Sequence, residues 1–402
     1  MKSSGDSIRC SPEMKLLCAC VRPSSAAIPA GDGIDWSRFL RLATNHHVIP
    51  LAHQSLKRAA QGGAPVPPEF LDSFRRRYMA IAAHNVRAVE TARRLQRLMD
   101  TNGIQWMPVK GPALAVLAYG SPSLRQFEDL DFIVRRGDLL RSIGLLEAEG
   151  YRAREIPPSA SRSRYLASLQ DWSMQKPGEA LHLDLKPVLI SHVLSRPSSV
   201  DFLASACRPL PMGDGRELFS PGPEAMLLAV CVDGSNEMWF KLSSVADAAH
   251  LLAGFPDADW AGLLGVAAGM GHRRSLLVGA LVAEDVLGCP LPEAFQKEAR
   301  RDGLARRLAA EAAGCLRAGT SLQPGIIRQN RFAFRTRERW WDRWRFVSRL
   351  LFVPGPADLH QIALPDALYP LYSCLRPFRL AGDALRGRPR RIRASKTDGP
   401  ES

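Results

Sequence analysis

The sequence predicts an α/β (α+β) protein in which a small mixed sheet lies between helical segments on both sides. Apolar residues recur at three- and four-residue steps from about 14 to 103 and from about 223 to 319, which is typical of helices. Between these segments, short apolar runs are bounded by glycine and proline, which is typical of strands. With 402 residues, 46% of them hydrophobic, the chain can bury a large core.

The N-terminal part divides into a loose polar segment, 1–13, and a helical segment, 14–103. The longest predicted helix runs over about 70–99, where Asn85, Val89 and Ala92 fall on one stripe. Asn102 and Gly103 follow it, and such residues commonly end a helix. This segment is therefore expected to pack one face of a long helix against the rest of the protein.

Residues 104–190 are predicted to form the α/β core. Strands are expected over 104–109 and 130–134, and each is followed by a predicted helix, over 112–119 and 137–150. Residues 151–156 and 181–189 are candidates for further strands. This order of elements predicts a compact sheet covered by helices.

The remaining chain is predicted to be helical over 191–327 and basic over 328–402. The basic segment holds 16 Lys and Arg against 7 Asp and Glu, so +9 of the net charge of +14 lies there. Its stretch 335–346 interleaves basic and aromatic residues, which suits RNA or an anionic membrane. The interpretation we favour is a helix that packs its tryptophans onto the protein body and shows its arginines to water. Residues 386–393 are expected to be a disordered basic tail.

Cysteine usage and hydropathy predict a cytoplasmic protein. The eight cysteines form no Cys-x-x-Cys pair and have no histidine at zinc-ligand spacing, so we expect reduced thiols. The first residues lack the apolar core of a signal peptide. No run approaches the roughly 18–20 apolar residues that cross a bilayer.

Two acidic residues, Asp129 and Asp131, stand where a predicted strand begins. Alternate residues of a strand point to one face, so we expect these carboxylates about 6–7 Å apart on the same face. Such a pair can hold Mg²⁺ (or Mn²⁺), which takes oxygen ligands from protein, water and phosphate. Two such ions can stabilise both the attacking and the leaving oxygen of an in-line displacement.

Lys110 and Gly111 lie at a predicted strand-to-helix turn. Backbone N–H groups at such a turn can approach a phosphate closely, the helix N-terminus favours negative charge, and glycine has no Cβ in the way. Lys110 and Arg125 add cationic donors. The sequence therefore predicts a triphosphate site beside the two acids.

Each of these features also has a simpler interpretation. An isolated Asp-x-Asp is more often a pair of solvated loop carboxylates, a lone Lys-Gly is nearly uninformative, and the acidic residues at 128–131 could balance charge in a basic protein. The order strand, glycine turn, helix, arginine, Asp-x-Asp favours a site, because half-buried carboxylates without cationic partners are costly.

The same residues resemble the uncharacterised bacterial nucleotidyltransferase-like family of the DNA polymerase β superfamily. The similarity covers about 15–270 and rests on Lys-Gly-Pro-Ala-Leu-Ala at 110–115, Tyr-Gly-Ser-Pro at 119–122, Arg125, Asp-Leu-Asp at 129–131 and Leu-His-Leu at 181–183. The resemblance implies a short mixed sheet that carries Asp-x-Asp metal ligands and a third acid on a neighbouring strand. The chemistry it implies is nucleotidyl transfer from an NTP with Mg²⁺.

Two departures from the family pattern concern this site. Gly-Ser or Gly-Gly is usual after the first strand, whereas Gly111-Pro112 here removes a hydroxyl and an N–H from the phosphate cradle. In addition, Ala180 stands where a carboxylate is expected, two residues before His182.

A displaced third acid would compensate for Ala180. Asp184 lies two residues after His182 and therefore on the same strand face, so it is our candidate, while Glu179 and Asp171 are weaker ones. His182 is either a core residue of an apolar strand or, since it shares a face with Asp184, a member of the ligand shell or a phosphate contact.

The sequence thus predicts a metal-dependent nucleotidyltransferase that transfers an NMP group from an NTP, with ATP expected, to an unidentified small molecule, peptide, protein or RNA. The residues expected to act in catalysis as metal ligands are Asp129, Asp131 and Asp184. Those expected to contact the nucleotide are Lys110, Gly111, Arg125 and His182. Two alternatives stay open: a catalytically weak nucleotide-binding or partner-binding protein that retains the fold, and a basic RNA- or membrane-associated scaffold.

Overall fold

A computed structural model describes residues 10–24, 28, 33–153, 172–186, 205–213, 215–319, 323–355, 358 and 364–385. The described residues fall into two compact units. The first lies within 1–154 and 170–343 and contains the central sheet. The second, called here the C-terminal unit, lies within 344–402.

The central sheet has five strands. They are β1 (Trp106–Val109), β2 (Asp129–Val134), β3 (Arg152–Ala153), β4 (Trp172–Gln175) and β5 (His182–Lys186), in the order β1-β2-β5-β4-β3. Strands β2 and β5 pair in parallel, and the other neighbours are antiparallel. Leu130, Phe132 and Val134 lie on one face of β2 and are fully buried, and Ile133 on the opposite face is buried as well, because β2 lies inside the sheet.

Helices surround this sheet on both sides in the sequence. Those up to residue 148 are α1 (Pro12–Cys20), α2 (Trp36–Asn45), α3 (Ile49–Gln61), α4 (Pro68–Thr101), α5 (Gly111–Tyr119) and α6 (Leu139–Ala148). Those from 223 to 336 are α7 (Pro223–Asn236), α8 (Leu242–Gly254), α9 (Trp260–Met270), α10 (Arg273–Leu287), α11 (Glu293–Arg301), α12 (Gly303–Arg317) and α13 (Ile326–Thr336). The predicted mixed α/β class with helical flanks is confirmed.

Polar side chains define where the first two helices begin. The Ser11 hydroxyl accepts a hydrogen bond from the Met14 N–H, and the Asp35 carboxylate accepts one from the Arg38 N–H, so both side chains cap helix N-termini. Because α1 already begins at Pro12, the predicted loose segment 1–13 extends two residues too far. Its residues 1–9 lie outside the described part of the chain.

A two-stranded hairpin precedes α7, in a range that we predicted to be helical, 191–327. Strands β6 (Cys207–Gly213) and β7 (Arg216–Pro221) are antiparallel. Prolines 209 and 211 lie in β6, which a two-stranded sheet tolerates because each strand has an open edge. The Gln96 side chain of α4 accepts from the Phe219 N–H and donates to its carbonyl, both at 2.8 Å, which ties β7 to the long helix.

The two last helices are α14 (Trp340–Phe352) and α15 (Leu371–Leu385). Trp340, Trp341 and Trp344 are each more than half exposed, so the predicted packing of the tryptophans onto the protein body is wrong. Arg337, in contrast, is buried and donates to the Asn236 side chain at 2.9 Å. The predicted disordered stretch 386–393 lies outside the described residues.

All eight cysteines are free thiols in the structure, as the cysteine pattern predicted. Among the described residues, no helix combines the length and the apolar composition needed to cross a membrane.

Candidate metal and nucleotide site

Three carboxylates meet at the start of two adjacent parallel strands. In the register of β2 and β5, Asp131 lies opposite Asp184, and Asp129 lies opposite His182. Because alternate residues of each strand share a face, all three carboxylates point to the same side of the sheet. One ligand oxygen from each of the three lies within 4.8 Å of the others. The structure thus brings together the three residues that we predicted as metal ligands.

The three carboxylates differ in their environment. Asp129 is exposed, Asp131 is only 7% exposed, and Asp184 is half-buried. Desolvation, followed by the charges of Asp131 and Asp184, raises the pKa of Asp129 to about 6. Ionising all three carboxylates together is therefore unfavourable. A cation bound among them would stabilise their ionised forms.

Two lysines flank the most buried acid. The Nζ of Lys186 lies 2.6 Å from Oδ1 of Asp131, and the Nζ of Lys110 lies 3.9 Å from its Oδ2. Burial would raise the pKa of Asp131, but Lys186 and then Lys110 lower it below its ordinary value. The side chain of Lys186 is only 15% exposed, so it is not a solvated strand end.

The turn at Lys110 and Gly111 lies against the strand that carries the acids. Both residues have positive φ, 58° and 43°, a conformation that favours glycine and is strained at Lys110. A Cβ at Gly111 would lie 3.8 Å from the Asp129 carbonyl oxygen. Helix α5 begins at this turn, so its positive N-terminal end lies beside the carboxylates. Pro112 leaves that end with one N–H fewer.

A residue of α7 holds the side chain of Lys110. The Asp233 carboxylate forms an ion pair with the Lys110 ammonium. Burial, the largest influence, lowers the pKa of Lys110 despite the nearby Asp131. Most of α7 is buried and apolar, so an acid in it is unusual. That composition is the one sequence feature that could have indicated a contact between Asp233 and the site.

The carboxylate of Asp247, a buried residue, holds the side chain of Arg125 in place. Its Nε lies 3.0 Å and 3.2 Å from the two carboxylate oxygens of Asp247, and the Tyr119 hydroxyl donates to Asp247 at 2.7 Å. Asp247 is therefore a buried partner of Arg125. Burial would lower the pKa of Arg125, but Asp247 raises it, with a smaller contribution from Asp129. The guanidinium is thus held charged near the cluster.

The other candidates lie at the edge of the site or outside it. His182 is half-buried and lies opposite Asp129 on one side and Gln175 on the other. Glu179 is exposed, 4.0 Å from Lys176, and is not in the carboxylate cluster. Asp171 lies outside the described residues.

His46 lies outside the site and has a structural role. It is buried, its Nδ1 accepts from the Leu242 N–H at 3.2 Å, and burial lowers its pKa to about 4.

The donor set suits a hard divalent cation. Its members are all carboxylates, without the thiolate or imidazole nitrogen that softer metals prefer. A helix N-terminus and three cationic side chains, from Lys110, Lys186 and Arg125, surround them and favour an anionic ligand. The arrangement can therefore bind a divalent cation together with a phosphate-bearing molecule.

A solved structure and a protein family are similar to parts of this chain. The crystal structure of an antigenic nucleotidyltransferase-like protein from Paracoccidioides brasiliensis is similar to 51% of this chain and 93% of its own, at 13% identity and a TM-score of 0.31. No curated protein matches the chain. The model of a family described as uncharacterised nucleotidyltransferase matches residues 32–288. The chain therefore belongs to this nucleotidyltransferase family.

Proposed function

We propose that the protein is a metal-dependent nucleotidyltransferase that transfers an NMP group from an NTP to an acceptor hydroxyl or other nucleophile. The observation that carries this proposal is the meeting of three carboxylates, within 4.8 Å of one another, beside a cationic strand-to-helix turn. Asp129, Asp131 and Asp184 would hold Mg²⁺ or Mn²⁺. ATP is the expected donor, and a cytoplasmic location stays a prediction.

The reaction is an in-line displacement at the α-phosphorus. The bond from the acceptor to phosphorus forms, the bond to the bridging oxygen breaks, and pyrophosphate leaves with that oxygen. When bound, the divalent cation would neutralise charge on the attacking and leaving oxygens. The acceptor's proton passes to a carboxylate of the cluster.

The cationic side chains would orient the triphosphate. Lys110 and Arg125 are both held by acids outside the cluster, Asp233 and Asp247, so their positions are fixed before a nucleotide binds. Such preorganisation lowers the barrier of phosphoryl transfer, where positioning and charge neutralisation dominate. These side chains compensate for the hydroxyl and the N–H that Gly111-Pro112 lacks.

A label-transfer assay tests this proposal. The purified chain is incubated with each of the four α-³²P NTPs and Mg²⁺ or Mn²⁺, and pyrophosphate release and label transfer to candidate acceptors are measured. We expect activity with at least one NTP, and we expect Asp129→Ala and Asp184→Ala to abolish it. Asp257→Ala, which removes an exposed acid far along the chain, is the matched control and should retain full activity.

The second candidate is a nucleotide-binding protein of weak or no catalytic activity. It is favoured by Pro112 in the phosphate cradle and by the lysines that already compensate the charge of Asp131. Calorimetric binding of an NTP without pyrophosphate release under any metal would support this second function over the first.

A further inference from the structure

Two basic side chains, those of His47 and Lys241, come together at the start of helix α8. His47 lies in the turn between α2 and α3, and Lys241 directly precedes α8. The ring Nδ1 of His46 accepts a hydrogen bond from the Leu242 N–H, and its carbonyl accepts one from the Ser243 N–H, both at 3.2 Å. These two bonds hold the turn that carries His47 against the first residues of α8.

Arg125 lies close to the same two side chains. It is held by Asp247, which belongs to α8. Burial, and then the charges of Lys241 and Arg125, lower the pKa of His47 to about 4. The charge of Asp129 acts on the pKa of Arg125 in turn, after burial and Asp247. Arg125 is therefore near both the carboxylate cluster and the pair formed by His47 and Lys241.

In the described part of the chain, this pair has no acidic partner. The side chains of His47 and Lys241 are half-buried and form no hydrogen bond or ion pair with another described residue. The Lys241 ammonium lies 5.4 Å from the centroid of the Phe240 ring. Asp247 is already engaged by Arg125. Positive charges gathered in this way repel one another, so the pair and Arg125 together favour an anionic ligand.

Backbone strain marks the same places. Among the described residues, four that are not glycine have positive φ: His47 at 57°, Lys110 at 58°, Met238 at 61° and Trp239 at 55°. Two of them are basic residues of the site, and the other two lie in the short linker that leads to Lys241. Bulky residues rarely adopt this conformation, and it persists where the surrounding structure fixes it, commonly beside a ligand.

Packing of Trp239 fixes that linker. Its N–H donates to the Gly234 carbonyl at 2.7 Å, and its ring is buried. A Cβ at Gly234 or at Gly279 would lie 2.7 Å from atoms of the ring, so only glycine leaves room for it at both positions. The start of α8, and with it Lys241, is thus positioned before any ligand binds.

We propose that His47 and Lys241 bind the terminal phosphate of the NTP. With the α-phosphate at the carboxylate cluster, the chain of phosphates passes Arg125 and ends at this pair. A neutral imidazole N–H and an ammonium both donate to phosphate oxygens. His46 already occupies the N–H groups of Leu242 and Ser243, so side chains supply the donors. The inference rests on the proposed nucleotidyl transfer for the identity of its ligand.

Nucleotide titration of the full-length chain tests the proposal. The four NTPs are titrated into the wild type by calorimetry in Mg²⁺, and the NTP, NDP and NMP of the base that binds most tightly are then compared. Lys241→Met and His47→Ala should each weaken NTP binding by at least about tenfold, since each removes a donor to a charged phosphate. Affinities for the NDP and the NMP should stay unchanged, because both lack the terminal phosphate.

Further variants distinguish a phosphate contact from a structural role. Lys241→Arg keeps the charge and should retain most of the NTP affinity. Lys241→Met should not lower the melting temperature of the ligand-free protein, because it relieves repulsion and removes no partner. The matched control is His53→Ala with Lys57→Met on α3, where burial and then Lys57 lower the pKa of the histidine. It removes the same residue types and should change no nucleotide affinity.

Several outcomes would overturn the proposal. NTP and NMP affinities that fall together would do so, as would an NTP affinity that neither variant changes or a wild type that binds no NTP. Weaker binding of inorganic phosphate with unchanged NTP binding would assign the pair to another anion and overturn it too.

The same variants separate this proposal from the proposed nucleotidyl transfer. The expected losses of NTP binding, in a chain that releases no pyrophosphate, would support the phosphate contact and contradict the transfer. Normal label transfer with an unchanged KM for the NTP in both variants would support the transfer and overturn the phosphate contact.

Discussion

The ammonium of Lys186 lies 2.6 Å from a carboxylate oxygen of Asp131 on the neighbouring parallel strand. Asp131 lies opposite Asp184 in the register, and Lys186 follows two residues later on the same face. One carboxylate is thus shared between a lysine of the protein and the candidate metal position. A cation bound at that position would neutralise the same buried acid that Lys186 already neutralises.

Replacing this lysine should make the protein depend on metal for stability. Lys186→Met leaves Asp131 buried with only the more distant Lys110, so we expect the free energy of unfolding to fall by about 3 kcal/mol in metal-free buffer. Added Mn²⁺ should raise the melting temperature of the variant more than that of the wild type, because the cation replaces the lost charge. Urea unfolding and thermal melting with and without Mn²⁺ measure both effects.

The control for this experiment is Lys57→Met, which removes an exposed lysine and should change neither quantity. Equal Mn²⁺ stabilisation of the Lys186→Met variant and the wild type would contradict the shared-carboxylate interpretation.

The third acid can be identified by comparing two neutralised carboxylates. Asp184→Asn should weaken Mn²⁺ binding by at least about tenfold, since it removes one of three charged oxygen ligands. Glu179→Gln removes the same charge five residues earlier, but outside the cluster, and should leave Mn²⁺ affinity unchanged. Calorimetric titration of Mn²⁺ measures both. A loss of affinity for Glu179→Gln and none for Asp184→Asn would assign the third ligand to Glu179.

The acids of this cluster could be found from local sequence pattern. The two-residue periodicity of a strand is enough to put Asp129 and Asp131 on one face. For the third acid, the family resemblance pointed to the strand of His182, and the same periodicity put Asp184 on the face of that histidine. The pattern cannot set the register of β2 against β5, because strand pairing depends on the whole sheet and not on either segment. The structure supplies that register, and with it the contact between Asp131 and Asp184.

The sequence pattern could not predict ion pairs between residues that lie far apart in the chain. Arg125 pairs with Asp247, which lies 122 positions later, and Lys110 pairs with Asp233. No periodicity connects such residues, so only packing of α7 and α8 against the core brings them together. The β6–β7 hairpin was missed for a local reason, because prolines 209 and 211 are typical of loops rather than strands.

The raised pKa of Asp129 predicts how stability changes with pH in metal-free protein. Its pKa is about 6 in the folded chain and near 3.8 in an ordinary environment, so between these values the folded state binds the proton more tightly. The contribution of Asp129 to stability therefore decreases as pH rises from about 4 to about 6. The lowered pKa of Asp131 acts in the opposite direction, but only below about 3.8.

Thermal melting in EDTA between pH 4 and 7 measures this contribution. The melting temperature of the wild type, relative to that of Asp129→Asn, should fall over this range and then level off. Mg²⁺ should remove the decline, because the cation stabilises the ionised carboxylates. A flat result for Asp129→Asn would refute a raised pKa.

We expect the contribution of Arg125 to nucleotide binding to depend on its ion pair with Asp247. Asp247→Asn leaves the buried guanidinium without its counter-charge, so we expect a loss of about 3 kcal/mol in unfolding free energy. We also expect weaker NTP binding, because the side chain is no longer held near the carboxylates. Tyr119→Phe removes one hydrogen bond to Asp247 and should cost about 1 kcal/mol, with a smaller loss of affinity.

A second, half-buried ion pair distinguishes a loss of nucleotide affinity through Arg125 from a loss caused by destabilisation of the fold. Arg274 and Asp302 lie 2.8 Å apart with similar burial, and Asp302 also caps the N-terminus of α12. Asp302→Asn should lower the melting temperature as Asp247→Asn does, but it should leave the affinity for a fluorescent NTP analogue unchanged. If both variants lose affinity in proportion to their stability, Arg125 acts only through the fold; if Asp247→Asn alone loses affinity, the ion pair positions Arg125 for the nucleotide.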